Sequence, residues 1–181
     1  LYVHYLDARD RARVVSLYDA GVRFIDENLG LLIQHLRDDG RLDRTIVVVS
    51  ADHGEEFWDH GRFFHGQSLY DELLHVPLIV RLPNAERAGT VVERPVRAID
   101  IAPTLLDWAR LPRPPSFAGR SLRAAIEHPD APADDVIATA INPQFPMHYG
   151  LRTATHKLVE TGRDGSRELF DLVHDPSEHE N

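Results

Sequence analysis

Between residues 11 and 37, Val14, Leu17, Tyr18, Val22, Ile25, Leu29, Leu32, Ile33 and Leu36 recur at three- and four-residue intervals. That is the period of a helix with one buried face. Asp38-Asp39-Gly40 ends it, because Gly40 can take the left-handed conformation that closes a helix at little steric cost. The rhythm then changes. Thr45-Ile46-Val47-Val48-Val49-Ser50 is a continuous apolar, β-branched run that suits a strand covered on both faces in a largely parallel sheet. A second run, Val76-Pro77-Leu78-Ile79-Val80, has its proline near the start, where a strand tolerates it. Residues 52–75 between the two runs are mostly polar.

Helix, strand and polar loop in succession predict an α/β fold, a mostly parallel sheet flanked by helices. Leu1-Tyr2-Val3-His4-Tyr5-Leu6-Asp7, without an initial methionine, reads as an interior strand, so the sequence reads as a fragment of a longer chain. Further along, Asp100 is placed to cap a helix through Trp108, with Pro103 in the first turn where its missing donor costs nothing. Leu111-Pro112-Arg113-Pro114-Pro115 is an extended connector. A short helix at 121–126 and a strand at 136–141 come next. A hairpin of strands 151–160 and 167–172 then turns at Gly162-Arg163-Asp164-Gly165, so the tail reads as a small antiparallel subdomain.

Composition narrows the function classes. The 181 residues are 43% hydrophobic, enough for a real core. The formal net charge of -9 argues against non-specific nucleic-acid binding, which needs a concentrated basic surface. No stretch reaches the apolar length of a membrane-spanning helix. With no cysteine, any metal site must use oxygen or imidazole ligands, and no disulfide framework exists. None of this identifies a compartment.

The candidate chemistry gathers after the first buried strand. Open parallel sheets bind ligands at the carboxyl ends of their strands, and Ser50-Ala51-Asp52-His53-Gly54-Glu55 falls there. The Asp52 carboxylate and the His53 imidazole are competent ligands for a divalent cation, and Gly54 lets the backbone turn closely past it. A plain turn, with Asp52 capping the next segment, is the alternative for this tripeptide. His53, Glu55, Glu56, Asp59, His60 and His65 crowd one loop that also carries Phe57, Trp58, Phe63 and Phe64. Aromatics in a polar loop point to a folded lid or pocket wall. His60 and Glu56 read as supporting or surface hydrogen-bonding groups, and His75 as a structural histidine.

Ser50-Ala51-Asp52-His53-Gly54-Glu55 followed by His65-Gly66-Gln67-Ser68-Leu69-Tyr70-Asp71-Glu72-Leu73-Leu74-His75-Val76-Pro77-Leu78-Ile79-Val80 resembles the sulfatases of the alkaline phosphatase superfamily. Later landmarks resemble that family in the same order. They are Asp100-Ile101-Ala102-Pro103-Thr104-Leu105-Leu106, Gly119-Arg120-Ser121-Leu122, Glu168-Leu169-Phe170-Asp171-Leu172, Asp175-Pro176-Ser177-Glu178 and Asn181. The resemblance implies an alkaline phosphatase-like fold. Residues 1–130 would be the C-terminal part of the catalytic domain, and 131–181 the antiparallel subdomain.

The resemblance further implies that Asp52 and His53 bind the active-site metal. In sulfatases this is usually calcium, held where many members have Asp-Asn. Calcium prefers oxygen, so a histidine here also fits manganese or zinc, or contact with substrate instead of metal. His65 stands in place of a basic residue that touches the transferred sulfate or phosphate oxygens, the expected catalytic role; a plain loop histidine is the alternative. Lys157 reads as a solvated lysine on a strand face, and residues 168–172 as the strand that docks the tail.

Two departures accompany the matches. The family's C-x-P-x-R-like motif, whose Cys or Ser becomes the formylglycine nucleophile, does not occur in this sequence, so the nucleophile is expected in an N-terminal half outside it. Tyr5-Leu6-Asp7-Ala8-Arg9-Asp10 resembles the family's Asp-Pro-His segment, with Arg9 at the histidine position. Arginine can clamp an anion but cannot exchange a proton near neutral pH, so Arg9 would keep binding without acid catalysis; a merely divergent segment is the alternative. The implied activity is metal-dependent hydrolysis of small-molecule or glycan sulfate esters, with this segment inactive alone. Phosphodiesterases, phosphonate monoester hydrolases and phosphoglycerol transferases of the superfamily are the alternatives, and a non-catalytic anion- or partner-binding relative is the alternative of another class.

Overall fold

The computed structural model describes residues 6–131, 137–140, 147–162 and 164–181. The expected opening strand and Arg163 of the expected turn therefore lie outside the described residues, apart from Leu6 and Asp7. Two compact units emerge. One takes in residues 6–50, 55–64 and 77–88; the other takes in Ala51–Gly54, His65–Val76 and the described part of Gly89–Asn181.

In the first unit the periodic segment forms helix α1, Ala8–Asp38. Asp7 caps it, its carboxylate accepting the Arg9 and Asp10 amides at 2.8 and 2.9 Å. Gly40, at φ 63°, closes the other end, its amide reaching the Arg37 carbonyl at 3.0 Å. The helix is as expected; burial of its apolar face is not. Leu17, Val22, Ile25 and Leu32 are exposed, and no residue of α1 is buried. Periodicity fixes which residues share a face, but a face is buried only where something packs on it.

Strand β1, Val47–Ser50, pairs with β4, Leu78–Arg81, in register Val47↔Arg81 to Ser50↔Leu78. The pairing is antiparallel, and no pair among the described strands is parallel. An apolar run reports cover on both faces of a strand and carries no information about its direction. The Arg81 guanidinium ties β4 back to the turn after α1 through the Leu42 carbonyl at 2.7 Å and Asp43 Oδ1 at 3.0 Å.

The aromatic loop is a small hairpin of β2, Glu56–Phe57, and β3, Phe63–Phe64. Trp58 stacks on Phe63 with ring centroids 4.7 Å apart, the Arg11 guanidinium lies 4.8 Å above the indole, and Phe57 meets Tyr18 edge-on. These contacts make it a folded element.

The second unit is built on a four-stranded antiparallel sheet in order β5-β6-β7-β8, comprising Ile137–Ala140, His148–Arg152, His156–Thr161 and Arg167–Asp171. The expected single strand at 151–160 is in fact two. The chain turns at 153–155, where the Thr153 amide meets the His156 carbonyl at 2.9 Å and the Thr153 hydroxyl accepts the Thr155 and His156 amides. Threonines are favoured in strands, yet here their hydroxyls bond locally and bend the chain. One residue of the tail reaches the β8 edge: Asn181 Oδ1 accepts the Leu169 amide at 2.9 Å, and its Nδ2 points at the Arg167 carbonyl at 3.5 Å.

The core of this unit is Leu69, Tyr70, Val159 and Phe170, with Leu172 packed against it. Tyr70 and Phe170 meet edge-on, and the Tyr70 hydroxyl reaches Glu168 at 3.2 Å. The sheet therefore grips the segment that comes after His65.

Helix α3, Ile101–Trp108, begins where expected, but the Asp100 side chain does not cap it. Its carboxylate takes a two-pronged contact from Arg97 at 2.7 and 3.0 Å and accepts the Arg120 amide at 2.9 Å. The paired guanidinium competes for the same lone pairs that a cap would use. Thr104 then bridges α3 to helix α4, Arg123–Glu127, donating to the Asp100 carbonyl and accepting the Leu122 amide.

Candidate metal and oxyanion site

The motif Asp52-His53-Gly54 leaves β1 in the chain and folds against α2, Asp71–Leu74. Gly54 is the point of closest approach. Its amide donates to the Leu73 carbonyl at 2.8 Å, and a Cβ there would stand 1.9 Å from the Glu72 carbonyl oxygen. Only glycine permits that approach without displacing α2.

Gly54 in turn orients His53. The His53 Nδ1 lies 2.7 Å from the Gly54 carbonyl oxygen, which can only accept, so Nδ1 carries the hydrogen. With Nδ1 so engaged, Nε2 is the ring nitrogen left for a ligand, 3.8 Å from Asp52 Oδ2. The other Asp52 oxygen accepts the His53 amide at 3.0 Å. One carboxylate oxygen and one imidazole nitrogen thus face the same side of an exposed loop, the donor chemistry a divalent cation requires.

His65, half-buried, sits beside them. Its ring centroid is 4.1 Å from that of His53 at an interplanar angle of 32°, and each ring offers a nitrogen within 4.8 Å of the other's. The structure thus brings His53 and His65 together although the aromatic hairpin separates them in sequence, while Asp52 is exposed and, among the described residues, meets only its neighbour His53. Two other polar residues of the loop lie within the hairpin itself. Asp59 accepts the Phe57 amide at 3.0 Å and holds the hairpin; Glu56 is fully buried in β2. Arg9 lies exposed in the first turn of α1, and His75 is exposed.

The sequence reading missed Lys157. It is only 1% exposed, and its ammonium donates to Asp71 Oδ1 at 2.8 Å and to both Glu178 oxygens at 2.7 and 3.0 Å. Glu178 also accepts the Asp71 amide at 3.0 Å, and Arg152 reaches the Asp71 carboxylate from the other side at 2.7 Å. Burial raises the Asp71 pKa, but Lys157 and Arg152 outweigh it and hold the carboxyl below its ordinary value. Burial pushes the Glu178 carboxyl up, assisted by the neighbouring Asp71 charge and opposed by Lys157. Lys157 is on the inward-facing register of β7, two residues from buried Val159, and that alternation was the available signal.

These features match a known group. The family model described as Sulfatase covers residues 3–111, and the one described as N-sulphoglucosamine sulphohydrolase, C-terminal covers residues 58–181. An N-acetylglucosamine-6-O-sulfatase of Bacteroides thetaiotaomicron is 35% identical over 91% of this chain and 31% of its own length. A solved structure of a protein called BT4656, in complex with its substrate D-glucosamine-2-N,6-O-disulfate, is 34% identical. It aligns with a TM-score of 0.80 over 88% of this chain and 34% of that one. A phosphonate monoester hydrolase from Silicibacter pomeroyi is 32% identical with a TM-score of 0.69 over 84% of this chain and 35% of that one.

The family models and relatives thus place the chain in the alkaline phosphatase superfamily. More narrowly, it belongs to the sulfatase family. The chain spans about a third of the length of the curated relatives it matches. Among the described residues no helix is long and apolar enough to cross a membrane.

Proposed function

We propose that this chain is the C-terminal portion of a sulfatase that hydrolyses sulfate esters of small molecules or glycans with the help of a divalent cation. The observation that carries the reading is the juxtaposition of His53 and His65, rings 4.1 Å apart, with Asp52 Oδ2 near the free Nε2 of His53. Asp52 and His53 are the cation's ligands in this chain. When bound, the cation withdraws charge from the ester oxygens and polarises the reacting group. Calcium is the family's usual choice, and the imidazole nitrogen of His53 equally fits manganese or zinc.

His65 faces the sulfate. As an imidazolium it offsets charge on the nonbridging oxygens, and it can give its proton to the departing alkoxide. The nucleophile bonds to sulfur as the bond from sulfur to the alcohol oxygen breaks, and one water is consumed in releasing the sulfate, so that over the whole cycle ester and water become alcohol and hydrogen sulfate. The nucleophile, a formylglycine in this reading, comes from outside residues 1–181, and this segment alone is inactive. The mostly parallel sheet belongs to that complete catalytic domain, with 1–130 as its C-terminal part and 131–181 as the antiparallel subdomain.

The similarity to a phosphonate monoester hydrolase and the nitrogen ligand at His53 support a second reading, a phosphoryl ester substrate at the same site. Turnover of an aryl sulfate, an aryl phosphonate monoester and an aryl phosphate diester by the full-length protein separates the two. Activity on the phosphorus esters alone overturns the sulfatase reading. No Mn2+ or Ca2+ binding by the full-length protein, together with an Asp52→Ala variant indistinguishable from the parent, favours the non-catalytic relative.

A further inference from the structure

We propose that Lys157 is a positioning residue for the Asp52, His53 and His65 site, acting through Asp71 and the first turn of α2. The inference rests on the functional reading above.

The connection can be followed bond by bond. All three Lys157 protons are used, one on Asp71 and two on Glu178. Asp71 is held by its side chain from Lys157 and Arg152 and by its amide from Glu178. It is the first residue of α2, and the next two residues present their carbonyls to Gly54. Leu73 O accepts the Gly54 amide at 2.8 Å, and Glu72 O abuts its Cα. The Gly54 carbonyl then fixes the His53 ring at 2.7 Å. On its N-terminal side, α2 comes after Leu69 and Tyr70, whose burial anchors the strand of chain coming from His65. Every link lies in one compact unit.

Stability alone gives no reason for this arrangement. Stripping water from an ammonium and two carboxylates is costly, and well-packed apolar residues often stabilise a core equally well. What the ion set supplies is direction: three acceptors at fixed angles admit one placement of Asp71, and so one placement of the α2 carbonyls on which Gly54 and His53 rest. Tail residue Glu178 and strand residue Lys157 thereby set a ring they never touch.

The test uses the full-length protein with Lys157→Met, which keeps the alkyl bulk, and Lys157→Arg, which keeps the charge. Hydrogen exchange at the Gly54 amide, Mn2+ titration, and kcat and KM for an aryl sulfate are measured well below the unfolding temperature. Expected for Lys157→Met are Gly54 exchange and an Mn2+ dissociation constant each raised about tenfold. We also expect kcat to fall further than KM rises, with Lys157→Arg recovering most of each change. A Lys157→Met protein that melts earlier yet keeps parental Gly54 exchange and Mn2+ affinity overturns the proposal and leaves Lys157 a structural residue. If Lys157→Met does not fold, Glu178→Gln makes the same comparison: raised Gly54 exchange and weakened Mn2+ binding support the link, and parental values overturn it. Should the parent neither bind Mn2+ nor turn over any ester, the functional reading fails, while the Gly54 exchange comparison still decides the link from Lys157.

Discussion

The α-carbon of Gly54 lies directly against the carbonyl oxygen of Glu72, so close that a methyl group would stand 1.9 Å from it. Real side chains do not approach a backbone oxygen so nearly, and the obstacle is main chain rather than a flexible tip. Gly54→Ala therefore has to push α2 away, at a cost of roughly 1–3 kcal/mol from overpacking. The same clash shifts Gly54, whose own carbonyl orients His53, so Mn2+ affinity of the full-length protein is expected to fall by about tenfold or more. Thermal unfolding and metal titration together check this; unchanged affinity counts against the orienting role of Gly54.

Gly40 gives a contrasting case. It has φ 63° and open space where a Cβ would go. The penalty for Gly40→Ala is conformational only, about 1 kcal/mol. We expect a small loss in urea-unfolding stability and no change in metal binding.

Asp100 sets part of the acid response. Burial raises its pKa, but the Arg97 guanidinium and the Arg120 amide lower it more, leaving it below the ordinary 3.8. A carboxyl depressed in the folded state contributes stability that is fully present above its unfolded pKa and is lost as pH falls through the folded one. Asp100→Asn should be less stable than the parent by roughly 2 kcal/mol at neutral pH, through weakened bonds to Arg97 and Arg120. The difference should narrow as the medium is acidified to pH 3.8 and below. Denaturant midpoints measured across that range give the answer, and a gap independent of pH would rule out the ionised carboxylate as its source.

His65→Gln keeps a polar side chain but neither the cationic charge nor the transferable proton. On the functional reading, kcat for an aryl sulfate falls about 100-fold, the lower range for loss of a general acid, with Mn2+ affinity little altered. Steady-state kinetics beside a metal titration separate this from loss of a ligand: a collapse of Mn2+ binding would make His65 a ligand instead.

Much of the fold was legible in the sequence because it rests on local chemistry. The period from Val14 to Leu36 is that of α1, Gly40 is its stop, and the β-branched run ending at Ser50 is a strand. Of the residues singled out for the site, the two histidines His53 and His65 lie ring against ring. What was illegible depends on partners distant in the chain. Strand direction is such a case, since Val47 gives no sign that Arg81 will lie opposite it. Asp100 resembled a cap until Arg97 and Arg120 claimed its oxygens. Lys157 looked solvated because its two carboxylate partners, Asp71 and Glu178, are remote from it in sequence.

The amide of Asn181 has a consequence for solubility. Strand β8 is the last of the described strands in its sheet, and an open edge offers a row of amides and carbonyls to any extended peptide that arrives. Asn181 occupies that row in the manner of a single neighbouring residue, accepting from Leu169 and turning its own amide toward Arg167. Beside it Leu169 is an exposed leucine, the kind of residue that makes such an edge adhesive. Replacing this asparagine would leave the Leu169 amide and the Arg167 carbonyl without the side chain that now meets them.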